Sequence, residues 1–311
     1  MRNAFADEMT RLAQARDDVV MLSGDIGNKL FDKFKDAAPD RFLNCGVAEA
    51  NMMSVAGGMA MNGLRPVVYT ITPFITTRCL EQIRNDVCYH NVPVIIVGVG
   101  SGLGYASLGP THHSCEDMAL LRALPNMNVV APADAWEVRA LLNAALAQDR
   151  PTYMRIGKKG EPQVHSATPD LKLGKGLKLR EGRDVCLLST GVLLPTVLEA
   201  ADALNAAGVS AAVVNMHTVK PLDEAVLQDA FSRYAVVATI EEHSLIGGFG
   251  SAVAEWAADN GPFPARLCRF GTGDVFLHES GNTKYARAHF GLTAPNIAAK
   301  VQASFERSRA S

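Results

Sequence analysis

Val92-Pro-Val-Ile-Ile-Val-Gly-Val99 is a run with no charged side chain, preceded by the helical pattern of Thr77–His90 and followed by a glycine-rich loop. A strand that is apolar on both of its alternating faces has to be covered on both. That marks a central strand of a parallel sheet with helices above and below it. The same texture recurs at Val19–Leu22, Pro66–Ile71, Met127–Ala131, Thr152–Ile156, Val185–Thr190, Ala211–Met216, Ala235–Ile240 and Arg266–Phe270. Helical patterns fill the intervals, at Arg2–Arg16, Ala48–Met61, Ser114–Arg122, Ala135–Ala147, Leu194–Ala207, Leu222–Phe231, Gly250–Ala258, Asn282–His289 and Ala294–Arg307. The alternation makes the fold class α/β, with mostly parallel sheets flanked by helices.

Between Gly157 and Arg183 the alternation stops, and the chain becomes polar and rich in Gly and Pro, as a connection between domains should be. Two domains are expected, over 1–170 and 180–311, with room for one short strand in the connection. A length of 311 residues suits that number. With 48% hydrophobic and 20% charged residues, the composition is that of a soluble globular protein. A net charge of −2 with scattered Lys and Arg gives no reason to expect nucleic acid. No apolar run approaches the roughly 18 residues of a membrane span. The N-terminus is amphipathic and carries acids, unlike a signal or transit peptide, so a cytoplasmic location is expected. Six cysteines without CxxC spacing read as free, packed thiols, and no metal site is expected on this chain.

Parallel sheets bind ligands at the carboxyl ends of their strands. Four loops qualify: Ser23-Gly-Asp-Ile-Gly27, Thr70-Ile-Thr-Pro-Phe74, the segment from Gly98 to His113, and Gly157-Lys-Lys159. The glycine spacing of the third invites a dinucleotide reading, which fails because a long loop ending in Gly109-Pro-Thr-His-His113 is not a tight turn opening a helix. A further segment is Asn44-Cys-Gly-Val-Ala-Glu-Ala-Asn-Met-Met-Ser-Val-Ala-Gly-Gly58, where Glu49 sits as a loop gives way to a helix. Standing alone, Glu49 reads as a solvated acid complementing the helix dipole. Apolar neighbours at Val47, Ala48, Ala50 and Met52 suggest instead a pocket that raises a carboxyl pKa.

Taken in order, these segments resemble the transketolase family. Similar to it are the Glu49 segment, Pro73-Phe74 with Arg78 and Glu81-Gln-Ile-Arg84, and Gly109-Pro-Thr-His-His-Ser-Cys-Glu-Asp-Met-Ala-Leu-Leu-Arg122. In the second half, Thr190-Gly191, His217-Thr-Val-Lys-Pro-Leu222 and Glu241-Glu-His-Ser-Leu-Ile-Gly-Gly-Phe-Gly-Ser251 are similar to its C-terminal domain. The resemblance implies thiamine diphosphate as cofactor, with Glu49 as the carboxyl on pyrimidine N1′ that promotes loss of the thiazolium C2 proton. It implies that Phe74 covers the pyrimidine and that Asp25 lies near the thiamine. It places His112 at the reacting carbonyl and gives Arg78, His113, Lys158 and Arg2 to substrate. The family's Gly-Asp-Gly run with its downstream Asn, which holds Mg2+ and the diphosphate, is missing from the sequence. The resemblance therefore implies an N-terminal partner subunit that supplies that half-site, and a homodimer of this chain within an α2β2 assembly.

Two positions depart from the family: Gly100 stands where a histidine is usual and Leu108 where an acid is. Losing both removes polar discrimination of the sugar while leaving cofactor chemistry intact. The expected activity is transfer of a two-carbon ketol unit from a ketose phosphate to an aldose with specialised sugar specificity. The alternatives are a pyruvate-decarboxylating carboligase of the deoxyxylulose-phosphate synthase type, a 2-oxo acid dehydrogenase β subunit, and a non-catalytic scaffolding subunit.

Overall fold

A computed structural model describes residues 1–27 and 29–310. The first half of the chain supplies β1 (Val19–Ser23), β2 (Phe42–Asn44), β3 (Arg65–Ile71), β4 (Ile95–Val99), β5 (Asn128–Val130) and β6 (Thr152–Ile156). The second half supplies β7 (Leu177–Arg180), β8 (Val185–Ser189), β9 (Ala211–Asn215), β10 (Thr218–Lys220), β11 (Val236–Ser244) and β12 (Arg266–Thr272). They form a seven-stranded sheet in the order β10-β5-β6-β4-β3-β1-β2 and a five-stranded sheet in the order β12-β11-β8-β9-β7. All pairings are parallel except β10 with β5 and β7 with β9. β1, β4 and β6 are buried along their whole length. Their side chains feed an apolar core on each face of the first sheet, one containing Met52, Ile83 and Tyr153, the other Phe5, Met21 and Met154.

Three short strands escape the sequence reading. β2 and β10 have three residues each, too few for periodicity to register, and β7 falls in the connection, where the sequence leaves room for one. The helix expected over Thr77–His90 is not continuous: it starts as a tight turn at Thr77–Cys79 and opens into a wide turn over Ile83–Tyr89. The widened stretch packs beside the Glu49–Met61 helix, where a Cβ on Gly57 would come within 2.7 Å of the Asp86 carbonyl oxygen. The missing side chain lets the two backbones meet.

The connection is tied down by two acids of the first half. Asp134 caps the Ala135–Leu146 helix by accepting from Trp136 N and Glu137 N at 2.8 and 2.9 Å. Its other oxygen accepts from Val164 N and His165 N, both at 2.9 Å. Glu137, fully buried, takes His165 Nε2 at 2.7 Å and Asn215 Nδ2 at 2.6 Å on the same oxygen. One carboxylate thus joins the first sheet's helix layer, the connection and the end of β9. The hydrogen bond to Glu137 is the main cause that raises the His165 pKa above its ordinary value of 6.5.

A raised histidine pKa means that the folded state binds the extra proton, so this contribution to stability is complete below about pH 6.5 and is lost as the pH rises through the higher folded value. Denaturant unfolding of the wild type and His165→Gln from about pH 5.5 to about pH 8.5 should show a stability difference that shrinks with rising pH. A difference that stays flat would show that His165 does not bind its proton through Glu137.

Candidate active site

In the strand order β6, β4, β3, β1, β2, neighbouring carboxyl ends lead into five neighbouring loops. They carry, side by side, Lys158, the segment from Gly98 to His113, Phe74 with Arg78, Asp25, and Glu49. Residues far apart in sequence become neighbours because a parallel sheet puts every such loop on one edge.

Glu49 opens its helix and is only 3% exposed. Met52, one of the four neighbours expected to bury it, is itself fully buried, but Val47 is 77% exposed and Ala48 is exposed as well, because both lie on the loop before the helix. Cover comes instead from β1 and β3. A Cβ on Gly24 would fall 3.3 Å from Glu49 Cγ and 3.2 Å from Thr70, so the glycine backbone lies against both. Cys79 is also near. Burial, and after it the charge of Glu49, push its thiol up to about 12.

Arg78 departs from expectation. Its Nη1 donates to Glu49 Oε2 at 2.8 Å, and its guanidinium carbon lies 4.4 Å from the centre of the Phe74 ring. The residue expected on a substrate phosphate therefore sits between the carboxyl and the aromatic face. Its side chain is 45% exposed, so solvent screens the pair from the arginine side while Glu49 itself is buried. The group held there is flat and nitrogen-bearing, as an aminopyrimidine ring is. Beside it, Thr70 Oγ1 is buried with no hydrogen-bond partner among the described residues. The residues present fit the pyrimidine half of thiamine diphosphate.

Phe74 is placed by the turn Thr72–Ile75, which Thr72 anchors by donating to Val99 O at 3.1 Å. The His112 ring meets the Phe74 ring edge-on at 5.3 Å, and its Nδ1 pairs with the Thr111 hydroxyl at 3.0 Å. Asp25 is exposed at φ 55°, held by a reciprocal pair of hydrogen bonds with Asn44 at 3.0 and 3.2 Å. Lys158 borders a cavity of about 420 Å³ shared with Ser101, Ser107, Glu242 and Arg287. Arg2 is half-buried, with a buried Nε that has no partner among the described residues. His113 does not join this group. It is 7% exposed and lines a separate cavity of about 280 Å³ with Cys115, Phe276 and Phe290. Burial lowers its pKa, so it is a neutral structural imidazole near neutrality.

Two residues at the site escape the sequence reading. Tyr105, 9% exposed, lies between His112 and Lys158, its ring centre 6.0 Å from that of His112 and 4.3 Å from Lys158 Nζ. Glu242, at the end of β11 and 1% exposed, braces the loop that carries both. Its Oε1 accepts from Leu103 N at 2.9 Å, its Oε2 accepts from Arg287, and its backbone oxygen accepts from Arg155 Nη2 at 2.7 Å. The signal for Glu242 was available: consecutive acids in an otherwise buried strand must each find partners. Glu241 finds its own at the N-terminus of the Phe249–Asn260 helix, from Phe249 N and Gly250 N at 2.7 Å each.

A carboxyl, an aromatic face and a histidine gathered on one edge of a parallel sheet, braced by a second α/β module, form the kind of half-site that a thiamine-dependent enzyme shares between two domains. The chain belongs to the transketolase family: residues 1–162 match the transketolase pyrimidine binding domain and residues 174–297 the transketolase C-terminal domain. It is 39% identical over 309 residues to a 6-deoxy-6-sulfo-D-fructose transketolase subunit of Clostridium sp. (strain MSTE9), covering 99% of this chain and 95% of that one. It is 33% identical to an apulose-4-phosphate transketolase subunit of Phocaeicola vulgatus, with 95% and 94% of the two chains covered. Among solved structures, a split-gene transketolase described as an inactive β4 tetramer superposes with a TM-score of 0.89 at 37% identity, over 98% of this chain and 97% of that one.

Truncating the brace tests its role. Glu242→Ala leaves Leu103 N and the Arg287 guanidinium without their partner, and should cost about 1–3 kcal/mol in denaturant unfolding. Amide hydrogen exchange should quicken at Leu103 and through the loop to Ser114. Unchanged exchange there would show that the loop is held by something else.

Proposed function

We propose that this chain is the C-terminal subunit of a two-subunit thiamine-diphosphate-dependent transketolase, dividing as 1–170 for the pyrimidine-binding part and 180–311 for the C-terminal part. It moves a two-carbon ketol unit from a ketose phosphate to an aldose, in the cytosol, with a specialised sugar range. The observation that carries the reading is the gap between Glu49 and Phe74, which already accommodates a flat nitrogen cation and has His112 on its far side.

Thiamine diphosphate, when bound, supplies the electron sink that makes the bond beside a ketose carbonyl cleavable. The chain does the rest. Glu49 holds a proton at pyrimidine N1′ once Arg78 has released its Oε2, and Phe74 covers that ring and keeps water from it. His112 donates to the carbonyl oxygen as negative charge develops there, from a ring oriented by Phe74 and Thr111. Asp25 stands at the outer edge near the thiamine. Lys158 and Arg2 hold the anionic end of the sugar, and Arg78, once free of Glu49, is assigned to substrate as well. His113 acts through the loop and not on substrate.

No group of three or more His, Cys, Asp or Glu among the described residues is arranged to hold a metal ion. We assign Mg2+ and the diphosphate to an N-terminal subunit, which meets this chain at the edge where Val47 is exposed, within an α2β2 assembly containing a homodimer of this chain. The sugars in the relatives' names, a sulfo sugar and a sugar phosphate, both end in an anion, which supports a specialised anionic ketose.

Calorimetric titration of thiamine diphosphate with Mg2+ should be silent with this chain alone and give clear binding once the N-terminal subunit is added. Tight binding by the chain alone would overturn the two-subunit assignment. In the complex, Glu49→Gln should lower transfer about 100-fold or more while cofactor affinity changes far less. Carbon dioxide release from pyruvate would replace this reading with the synthase-type carboligase.

A further inference from the structure

Gly100 lies in the left-handed region at φ 71°, in the loop that follows β4. The backbone alone does not demand glycine, since histidine and asparagine enter that region several-fold more often than other side chains. The neighbouring ring does demand it. A Cβ built on Gly100 would overlap Cε2 and Cδ2 of Tyr105. The space that a side chain at this position would enter is already filled, from five residues further along the same loop.

The ring is held in an informative place. His112 lies on one side, Lys158 on another, and Arg2 is close enough to act on the phenol electrostatically. Three residues expected at substrate thus surround an aromatic side chain that no motif singled out. Its hydroxyl has no hydrogen-bond partner among the described residues, so its donor capacity is unspent. Burial holds the phenol above its ordinary pKa, so it remains a donor at neutral pH.

We propose that Tyr105 is a specificity-determining residue of the sugar site, donating its hydroxyl to one substrate oxygen beside His112 and presenting its ring to a stretch of the carbon chain that lacks a hydroxyl. This rests on the ketol-transfer reading. The ligand class is an anionic ketose, its charged end on Lys158 and Arg2, with fewer hydroxyls along the ring than common ketose phosphates carry. A histidine at position 100 would offer two polar nitrogens there, whereas the phenol offers one polar atom at the end of an apolar face.

The test uses the assembled two-subunit enzyme with cofactor and Mg2+, probed with fructose 6-phosphate and 4-deoxyfructose 6-phosphate. Tyr105→Phe should raise KM and the calorimetric Kd for the preferred sugar about fivefold to tenfold, with kcat changed far less. Gly100→His should lower the melting temperature by colliding with the ring, and adding Tyr105→Leu should recover it. The double variant should then favour the hydroxylated donor by about tenfold more than the wild type does. Tyr105→Phe matching the wild type in KM and Kd, or Gly100→His melting like the wild type, would overturn the proposal. Sugar binding without any ketol transfer would sink the functional reading but leave Tyr105 to be judged on Kd. Binding of neither sugar by the wild type would overturn both.

Discussion

The buried guanidinium of Arg155 ties the two sheets to one another, and the site depends on that tie. Arg155 lies on β6, next to the central strand β4 of the first sheet, and is 4% exposed. Its Nε donates to the fully buried Asp117 at 2.8 Å, and its Nη2 donates to the backbone oxygens of Ser114 and Glu242 at 3.1 and 2.7 Å. Asp117 also accepts from the Tyr153 hydroxyl at 2.5 Å. Taking two charges out of water costs several kcal/mol each, which the hydrogen bonds on Asp117 Oδ2 and on the guanidinium offset, although Asp117 Oδ1 is buried without a partner among the described residues. Making those bonds requires that β6, the start of the Asp117–Ala123 helix and the end of β11 occupy fixed relative positions. The loop carrying Tyr105 and His112 is strung between those points.

The motifs of the second half make sense in this light. By resemblance alone they mark a C-terminal domain with no share in the site, yet residue by residue they grip the first half. Lys220, from His217-Thr-Val-Lys-Pro-Leu222, donates to the carbonyls of Arg122 and Leu124 at 2.9 and 2.5 Å, the point where a helix leaves its oxygens unpaired. From the Glu241–Ser251 run, Glu242 braces the loop at Leu103. His243, which burial drives down to about 4, stays neutral and accepts from Ala119 N at 3.3 Å through Nε2, while its Nδ1 pairs with Ser244 O at 2.8 Å. Such residues contribute by holding the site's residues at a set spacing, and none of them has to touch substrate.

Much of the molecule was legible in the sequence because buried parallel strands have an unmistakable composition. The runs at Val19, Pro66, Val92, Thr152, Val185 and Ala211 all lie on observed strands, and the loops at their carboxyl ends carry the candidate residues. Illegible features were those decided by contact across the fold. Val47 and Ala48 look like pocket walls in sequence but face outward, whereas Gly24 and Thr70, which flank the carboxyl, are distant in sequence. Tyr105 carries no motif, and only the overlap with a Cβ on Gly100 shows that its ring and a side chain at position 100 exclude one another. His112 and His113 are adjacent and chemically identical, yet one faces Phe74 and the other a different cavity.

β10 has a consequence of another kind. Although it belongs to the second half, it pairs antiparallel with β5 and closes that side of the first sheet, with Thr218 opposite Val130 and Lys220 opposite Val129. The boundary in the sequence and the boundary in the fold therefore do not coincide. Severed at the connection, the first half would expose a row of unpaired amides and carbonyls along β5, which is a template for joining other chains. The two halves are separable as names on a sequence but share one sheet, and recombining halves from different relatives would have to preserve the β5–β10 register as well as the site itself.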